Sequence, residues 1–468
     1  MTQVDDFITF DAEHKFEFKL SFKLHSIIML IGPDGSGKTE FSMEQLMLQL
    51  KMAQTGNKKI KIAYVSMKDI FSELLDCHQF SFISSEAKVF TEEVYKILLS
   101  KVKSLTSYPV NFDFVIVDSM GIDSLLRAEL LKIGEENHYH VSAVIFNYKD
   151  KSKYLSANPV HMKEFKRVIS GEITKKEFAT FDYIESRDFD KYEIVVDDYS
   201  LYDQYILPDK EYVIIGDIHG CFEEFVALLQ LNGFLVNEDF KVTHPEGKCV
   251  LLVGDLIDKG YAIKEVIELV YANLDTFYMV IGNHENLVYK KVSGALKKGS
   301  LPSSEVVEEF FNSIDLFQND EILKEKFFKV FESMKSFYVH KNFIVTHSPC
   351  EKKFLGKISP KALKAARDFR YPKKGDFEDF ASFMIEFDER TLFLRNESSD
   401  FHPIHVFGHV MSKEMSGYKN KLDIDTGCVS GGELTSITID KYLKISKKSV
   451  LAGDNIVDNK KQLYNFFY

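Results

Sequence analysis

The sequence predicts two consecutive α/β domains, and three observations carry that prediction. Short apolar runs alternate with amphipathic, helix-like segments along most of the chain, the pattern of parallel strands joined by crossover helices. An early run, Ile27 to Ile31, leads into Gly32-Pro33-Asp34-Gly35-Ser36-Gly37-Lys38-Thr39 and then a helical pattern through Met52. Between Val213 and Asn286, three further runs each end in a polar phrase: Gly216-Asp217-Ile218-His219-Gly220, Gly254-Asp255-Leu256-Ile257-Asp258-Lys259-Gly260 and Gly282-Asn283-His284-Glu285. Open α/β sheets bind ligands at such strand ends.

The first domain is expected over residues 1–205. The phrase from Gly32 to Thr39 fits G-x-x-x-x-G-K-[ST] in its strand–loop–helix setting. Gly32, Gly35, Ser36 and Gly37 would turn backbone N–H groups toward phosphates at a helix amino terminus. Lys38 would reach the β- and γ-phosphates of ATP or another nucleoside triphosphate, and Thr39 would contact the accompanying Mg²⁺. A second strand is expected from Ile60 to Ser66, leading to Lys68-Asp69, then a helix over Glu92 to Val102. The apolar strand Phe114 to Asp118 follows, with a helix to about Asn137 and a strand from Val141 to Phe146. Asp118 is either a carboxylate of the Mg²⁺ shell or a helix cap. Past Asn147 the chain is basic and helical, a candidate lid over a transferring phosphoryl group. Arg167 in that segment, or Arg127 on the helix after Asp118, could supply transition-state charge; each also fits an ordinary surface arginine. The boundary is placed near residue 205, before Pro208, with Tyr192 to Val196 as a strand that docks on one of the domains.

The second domain is expected over residues 206–468. Its three polar phrases are joined by Val345-Thr346-His347-Ser348-Pro349 and Val406-Phe407-Gly408-His409-Val410, each placing a His at the end of an apolar run. Asp and Asn oxygens with His nitrogens suit hard-to-borderline divalent ions, and no Cys joins them to favour a thiolate site. Two such ions would clamp a phosphate and activate a water for attack on phosphorus. The segment Pro302 to Met334 reads as a helical insertion or cap, near 300–335. Ile424 to Thr435 is a glycine-rich turn between two strands, with Asp425 a candidate catalytic carboxylate near His409.

Composition bounds the setting. The 468 residues, 45% hydrophobic and 28% charged, are those of an ordinary globular protein. Five scattered cysteines form no C-x-x-C pair, which fits a reducing compartment, and the amino terminus lacks a signal-peptide pattern. A cytoplasmic protein without a membrane partner is expected. The net charge of −12 argues against a broad nucleic-acid coat but leaves room for a local basic groove. Lysines cluster at Lys290 to Lys298 and at Lys352 to Lys374, the latter with Phe354, Phe369 and Tyr371 interleaved. Such a pattern suits either a single-strand channel or a solvated lysine-rich face.

The polar phrases of the second domain resemble the calcineurin-like metallophosphoesterases. The resemblance implies that Asp217 and His219 hold a first metal, that Asp255 bridges, and that Asn283, His347 and His409 complete a second site. Manganese heads the candidate metals, with iron, zinc or nickel as alternatives. His284 would be the general acid, oriented by Asp258. A P-loop domain ahead of such a module resembles the bacterial polynucleotide kinase–phosphatases, enzymes of RNA end healing. Two stretches support this: Asp118-Ser119-Met120-Gly121 with its following Arg127 helix, similar to that family's Asp-Ala-Thr-Asn segment, and Asp425-Thr426-Gly427-Cys428-Val429. The resemblance implies RNA or DNA ends as substrate, with Asp69 as base for a 5′-hydroxyl.

Three departures qualify it. No segment corresponds to the family's ligase module, so sealing is expected to fall to a separate ligase. The acceptor-gripping Arg has no counterpart in Val65 to Ser72, where Asp69 also stands one position out of ungapped register. Lys259 replaces the Arg of the usual Asp-Arg-Gly, keeping the charge but not the planar two-point contact to phosphate. Three functions therefore remain open. One is a 5′-kinase joined to a 3′- or 2′,3′-cyclic phosphatase. Another is a protein or dinucleotide phosphatase with a regulatory P-loop domain. The last is a chain whose front half only binds nucleotide and recruits a partner.

Overall fold

Strand composition dictates the arrangement of the first half. In the computed structural model, residues 16–53, 59–75, 85–107, 110–155, 159–171, 178, 180–197, 199–295, 311–368, 403–412 and 414–453 are described. They fall into two units, 1–204 and 205–468. The first unit holds β1 (Phe18–Phe22), β2 (Ser26–Ile31), β3 (Ile62–Ser66), β4 (Phe114–Asp118), β5 (His140–Phe146), β6 (Thr180–Ile184) and β7 (Tyr192–Val196). Five of them form a sheet in the order β3-β4-β2-β5-β6, every neighbouring pair parallel. All residues of β2 and β4 are buried, as strands covered on both faces must be. β2 lies at the centre, so the loop after it emerges between β4 and β5 at the carboxyl edge.

The helices of this unit run Lys38–Met52 (with a wider-wound stretch at Ser42–Leu46), Met67–Leu75, Ser85–Thr106, Ser124–Asn137 and Pro159–Gly171. The Ser85–Thr106 helix is longer than its sequence pattern suggested, and β6 was not foreseen, since Thr180-Phe181-Asp182-Tyr183 is only partly buried at the sheet edge. β7 pairs in parallel with β1, outside the main sheet, so the Tyr192–Val196 strand belongs to the first unit.

The second unit contains β8 (Tyr212–Ile215), β9 (Leu235–Val236), β10 (Val242–Thr243), β11 (Cys249–Leu252), β12 (Phe277–Met279), β13 (Phe337–Val339), β14 (Phe343–Thr346), β15 (Ile404–Phe407), β16 (Ser416–Tyr418), β17 (Lys421–Asp423), β18 (Glu433–Ile439) and β19 (Ile445–Leu451). Two five-stranded sheets result, β12-β11-β8-β18-β19 and β13-β14-β15-β17-β16. The period-2 alternation of strand side chains divides the core. Tyr212 and Ile214 of β8 join Leu251, Phe343, Val345 and Val406 in a layer shared by both sheets. Val213 and Ile215 face the helices with Phe225, Val266 and Val270.

The expected helical segment is present, but it does not stand apart as a cap. Residues 302–310 lie outside the described set, but the helices Phe311–Asn319 and Glu321–Ser333 are part of the core rather than a cap. Ile314, Phe317, Leu323, Phe327 and Val330 recur at helical spacing and enter the same cluster as Val213, with the Phe317 and Phe327 rings stacked 4.4 Å apart. Residues 296–298 and 369–374 of the two lysine clusters, and the tail 454–468, lie outside the described set. No helix among the described residues is long and apolar enough to cross a membrane.

Candidate metal centre and nucleotide cleft

Five strand ends of the second unit deliver polar side chains to one place. Asp217 follows β8, Asp255 follows β11, Asn283 follows β12, His347 follows β14 and His409 follows β15. Asp255 sits in the middle. Its Oδ1 lies 3.4 Å from His347 Nε2, and its Oδ2 lies 3.6 Å from His219 Nε2 and 3.8 Å from His284 Nε2. His347 Nε2 is 2.9 Å from Asn283 Oδ1, and the His347 and His409 rings are 5.0 Å apart. Asp217 Oδ2 accepts a hydrogen bond from the His409 amide at 3.0 Å.

The first two loops are zipped to each other through backbone. Asp255 O accepts from the amides of Ile218 and His219, and Leu256 O from that of Gly220. Left-handed backbone accompanies this packing: His219, Asp255, Asp258, Lys259 and His409 all have positive φ, between 45° and 68°. Side chains other than glycine adopt that region only under local constraint, and such residues gather at functional sites.

The donor set fits divalent cations. His219 Nδ1 lies 2.9 Å from Ile257 O, and His347 Nδ1 lies 3.0 Å from Val253 O. A carbonyl only accepts, so each Nδ1 carries a hydrogen and Nε2 is the atom left facing the centre, as in metal-ligating imidazoles. Asp217 Oδ1 is buried with no hydrogen-bond partner, an orphaned acceptor that a cation would satisfy. Two donor groups, His219–Asp255–His284 and Asp255–His347–His409, share Asp255 as a bridging ligand would. Burial, then the charges of Lys259 and His284, hold His219 well below its usual range and so neutral. Burial, then the charges of Asp425 and Asp255, push the Asp217 carboxyl well up, a penalty that bound cations would relieve.

Around this centre a cleft of about 210 Å³ is lined by Asp217, His219, Asp255, Lys259, Asn283, His284, His409 and Asp425, among others. His284 Nδ1 lies 2.8 Å from Asp258 Oδ2, and Asp258 is wholly buried. Lys259 Nζ lies 3.3 Å from His219 Nε2. Asp425 Oδ1 accepts from the Gly427 amide at 3.0 Å.

The first unit holds a second, separate cleft. Gly35 and Gly37 take φ of +73° and +85°, and a Cβ on Gly32 would lie 2.8 Å from Ser36 Oγ, so the loop needs its glycines. Lys38 is buried, its Nζ donating to Gly32 O at 2.8 Å and Pro33 O at 3.0 Å. Burial lowers its pKa against the opposing pull of Asp118 and Asp34. Thr39 Oγ1 donates to Asp118 Oδ2 at 2.6 Å, and the Tyr64 hydroxyl donates to the same oxygen. The cap of the next helix is Asp123, which accepts from the Leu125 and Leu126 amides, so Asp118 faces the P-loop instead. The cleft measures about 470 Å³ and runs from the P-loop to Met67, Lys68, Phe71 and Ser72 on one wall and Ser119 and Met120 on another.

The model for calcineurin-like phosphoesterases matches residues 211–426. The second unit is a calcineurin-like metallophosphoesterase domain. The asymmetrical bis(5′-nucleosyl)-tetraphosphatase PrpE of Bacillus cereus is 29% identical over 248 residues, 52% of this chain and 95% of that protein. Its namesake from Anoxybacillus flavithermus is 28% identical, over 51% of this chain and 95% of that one. Among solved structures, a putative diadenosine tetraphosphatase overlaps 53% of this chain and 97% of its own, at 19% identity and a TM-score of 0.33. Chaetomium thermophilum Kti12 in complex with ADP-AlF3 overlaps 35% of this chain and 90% of its own, at 16% identity and a TM-score of 0.25. The family match supports metal-dependent phosphoester hydrolysis as the activity of the phosphoesterase domain, and the domain ahead of it is a parallel-sheet α/β domain.

The phosphoesterase domain brings together all six residues expected to hold metal, with His284, Asp258, Lys259 and Asp425 beside them. In the first domain the agreement is narrower. Gly35, Gly37, Lys38, Thr39 and Asp118 line one cleft. Asp69, expected as a base, is exposed on the Met67–Leu75 helix and is not among the cleft-lining residues, whereas its neighbour Lys68 is. Arg127 is buried, its Nη1 donating to Gly121 O at 3.0 Å, and Arg167 is exposed with its guanidinium on Glu164 of its own helix. Neither lines the cleft.

Sequence reasoning missed Glu285, Ser313 and Arg187. Glu285 is fully buried, and its carboxylate accepts four amides: Leu256 and Ile257 on Oε1, Asp255 and Gly282 on Oε2. Burial, then the charge of Asp255, pushes it up to about 7. The signal available was an acidic residue directly after His284, in a phrase otherwise read for its ligands. Ser313 Oγ accepts from the Asp258 amide at 3.1 Å, from a helix that carried no motif. Arg187 lines the P-loop cleft from the stretch between β6 and β7, which carries no motif.

Proposed function

We propose that this chain is a two-site enzyme of nucleic-acid ends, with RNA as its substrate class. The observation that supports the hydrolytic half most directly is the gathering of His219, His347 and His409 around Asp255, with the His284–Asp258 pair beside them. When bound, a pair of divalent ions, manganese first among the candidates, supplies the activated water and the charge that polarises a phosphoryl group. His284, its Nδ1 tied to Asp258, would turn Nε2 to the leaving oxygen of a 3′- or 2′,3′-cyclic phosphate and protonate it there. Lys259 brings a positive charge to the same cleft and would grip a non-bridging phosphate oxygen.

In the front half, the Lys38 loop and the Thr39–Asp118 pair support binding of a nucleoside triphosphate with Mg²⁺. Transfer of the γ-phosphoryl to a 5′-hydroxyl at the Lys68 and Ser72 wall would then make the half a kinase, with sealing left to a separate ligase. A second reading is favoured by the relatives that carry the name of asymmetrical dinucleoside tetraphosphatases: cleavage of a dinucleoside polyphosphate at the Asp255 centre, with the P-loop domain regulating it.

The deciding assay presents RNA bearing a 5′-hydroxyl and a 3′-phosphate with ATP and Mn²⁺ to wild type, Lys38→Ala and Asp255→Ala. Gain of 5′-phosphate that needs Lys38, with loss of 3′-phosphate that needs Asp255, is the expected result. Intact RNA beside Asp255-dependent cleavage of diadenosine tetraphosphate would sink the end-processing reading and leave the second one standing.

A further inference from the structure

The geometry points to Arg187 as the residue that grips the anionic phosphate chain of the nucleotide in the front cleft, with Glu40 as its counter-ion when no nucleotide is bound. The inference rests on the reading of that cleft as a nucleoside triphosphate site. Arg187 Nη1 donates to Gly35 O at 2.9 Å and to Lys153 O at 2.8 Å, and Nη2 donates to Glu40 Oε2 at 2.9 Å. A guanidinium thus lies against the phosphate-binding loop itself. A Cβ on Gly37 would come within 3.5 Å of its Cζ, and within 2.8 Å of the Phe189 ring. Gly37 is therefore needed twice, for its positive φ and for the approach of the Arg187 segment.

That segment is built to hold one position. The Tyr192 hydroxyl accepts from the amides of Glu185 and Ser186, at 2.9 and 3.0 Å. Phe189 is buried edge-on against Phe41 and Phe146, and Asp190 accepts from Gln45 at 2.7 Å. An arginine presented from so braced a turn differs from Arg167, which is exposed and bonded along its own helix.

Charge makes the same case. The cleft is lined by three carboxylates, Asp34, Glu40 and Asp118, and by three cations, Lys38, Lys68 and Arg187. Without Arg187 the lining would carry net negative charge and repel a triphosphate. With it, the planar fork can exchange the Glu40 carboxylate for phosphate oxygens, a geometry that guanidinium matches and ammonium does not. Glu40 directly follows Thr39, so the exchange would take place one residue beyond the side chain that would hold Mg²⁺.

The test is calorimetric binding of MgATP, ADP and adenosine to the full chain, comparing wild type with Lys38→Ala, Arg187→Ala, Arg187→Lys and Glu40→Gln. Wild type that fails to bind MgATP in a Lys38-dependent way overturns the nucleotide reading and the inference together. With that binding present, Arg187→Ala is expected to weaken MgATP and ADP at least 10-fold while adenosine changes less than twofold. Arg187→Lys should recover part of the loss, and Glu40→Gln, which removes the competing carboxylate without touching the brace, should leave MgATP as tight as in wild type or tighter. An Arg187→Ala chain that binds MgATP within twofold of wild type, or that loses adenosine equally, would overturn the role; if that variant does not fold, a 10-fold loss of MgATP in Glu40→Gln would do so.

Discussion

Glu285→Gln is the substitution that most directly tests how the phosphoesterase site is held. The glutamate carboxylate takes amides from both sides of the centre: Leu256 at 2.7 Å and Ile257 at 3.3 Å on one oxygen, Asp255 at 3.1 Å and Gly282 at 3.0 Å on the other. Glutamine is nearly the same shape but keeps only one acceptor oxygen. Whichever way its amide turns, two buried N–H groups then face an N–H₂ donor. An unsatisfied buried donor costs about 1–3 kcal/mol, so the pair costs about 2–6 kcal/mol. A domain has only about 5–15 kcal/mol to lose. Scanning calorimetry with and without Mn²⁺, together with the metal content of the purified protein, measures both consequences. The rear transition should fall, and metal binding should weaken because Asp255 and Asn283 are each next to an amide that the glutamate holds. A Gln variant that melts with wild type and carries a full metal complement would refute the clamp.

The remaining predictions concern the same domain. His284→Ala should lower kcat by about 10²–10⁴ on alkyl phosphates while sparing activated aryl phosphates, which need no proton on the leaving oxygen. Asp258→Asn should show a smaller loss with the same leaving-group bias, and equal losses on both substrates would remove His284 as the acid. Saturating a metal-stripped chain with Mn²⁺ at about 100 times its Kd should stabilise the domain by about 2.7 kcal/mol per site. That corresponds to about 5–10 °C in the melting temperature, and no shift would contradict a metal site built on Asp255. Gly408→Ala would put a Cβ 2.0 Å from Asp217 Oδ1, so it should displace that carboxylate and cut bound metal; full occupancy by elemental analysis would show the contact to be soft.

Much of this architecture was legible because strands and loops announce themselves locally. The Phe114–Asp118 strand and the Ser124–Asn137 helix follow from an apolar run and a helical period read over a dozen residues. The gathering of the candidate donors was legible for a related reason: Asp217, Asp255, Asn283, His347 and His409 each stand just past an apolar strand, so sequence order aligns them. What stayed hidden depends on contacts across the chain. Ser313 and Asp258 are 55 residues apart, and Arg187 and Gly35 are 152 apart, with no local pattern to pair them. The helices from Phe311 to Ser333 looked like an insertion because they carry no motif, yet their phenylalanines complete the core under the site. The family phrase points to Asp69 as a base, whereas the register of the Met67–Leu75 helix turns Lys68 and Ser72 to the cleft.

The balance of costs at the metal centre explains why this clamp falls to a residue that binds no metal. His219, Asp255, Asp258, Lys259 and His409 hold left-handed backbone, at about 1–2 kcal/mol each, or about 5–10 kcal/mol in all. Asp217 and Asp255 add like charges in a buried space. Metal ions could offset both, but a loop that waited for metal to order itself would present no site for the metal to find. The offset is instead built from backbone groups and one buried carboxylate that holds no ligand position. The Asp255 carbonyl takes the Ile218 and His219 amides, Leu256 O takes that of Gly220, and the four amides on Glu285 fix the second and third loops together. None of these groups is a metal ligand through the atom it uses, so the ligand atoms stay available while their backbone is already in place. The strain is therefore carried by the sheet edges and by Glu285, so the six candidate donors need not order the loops themselves.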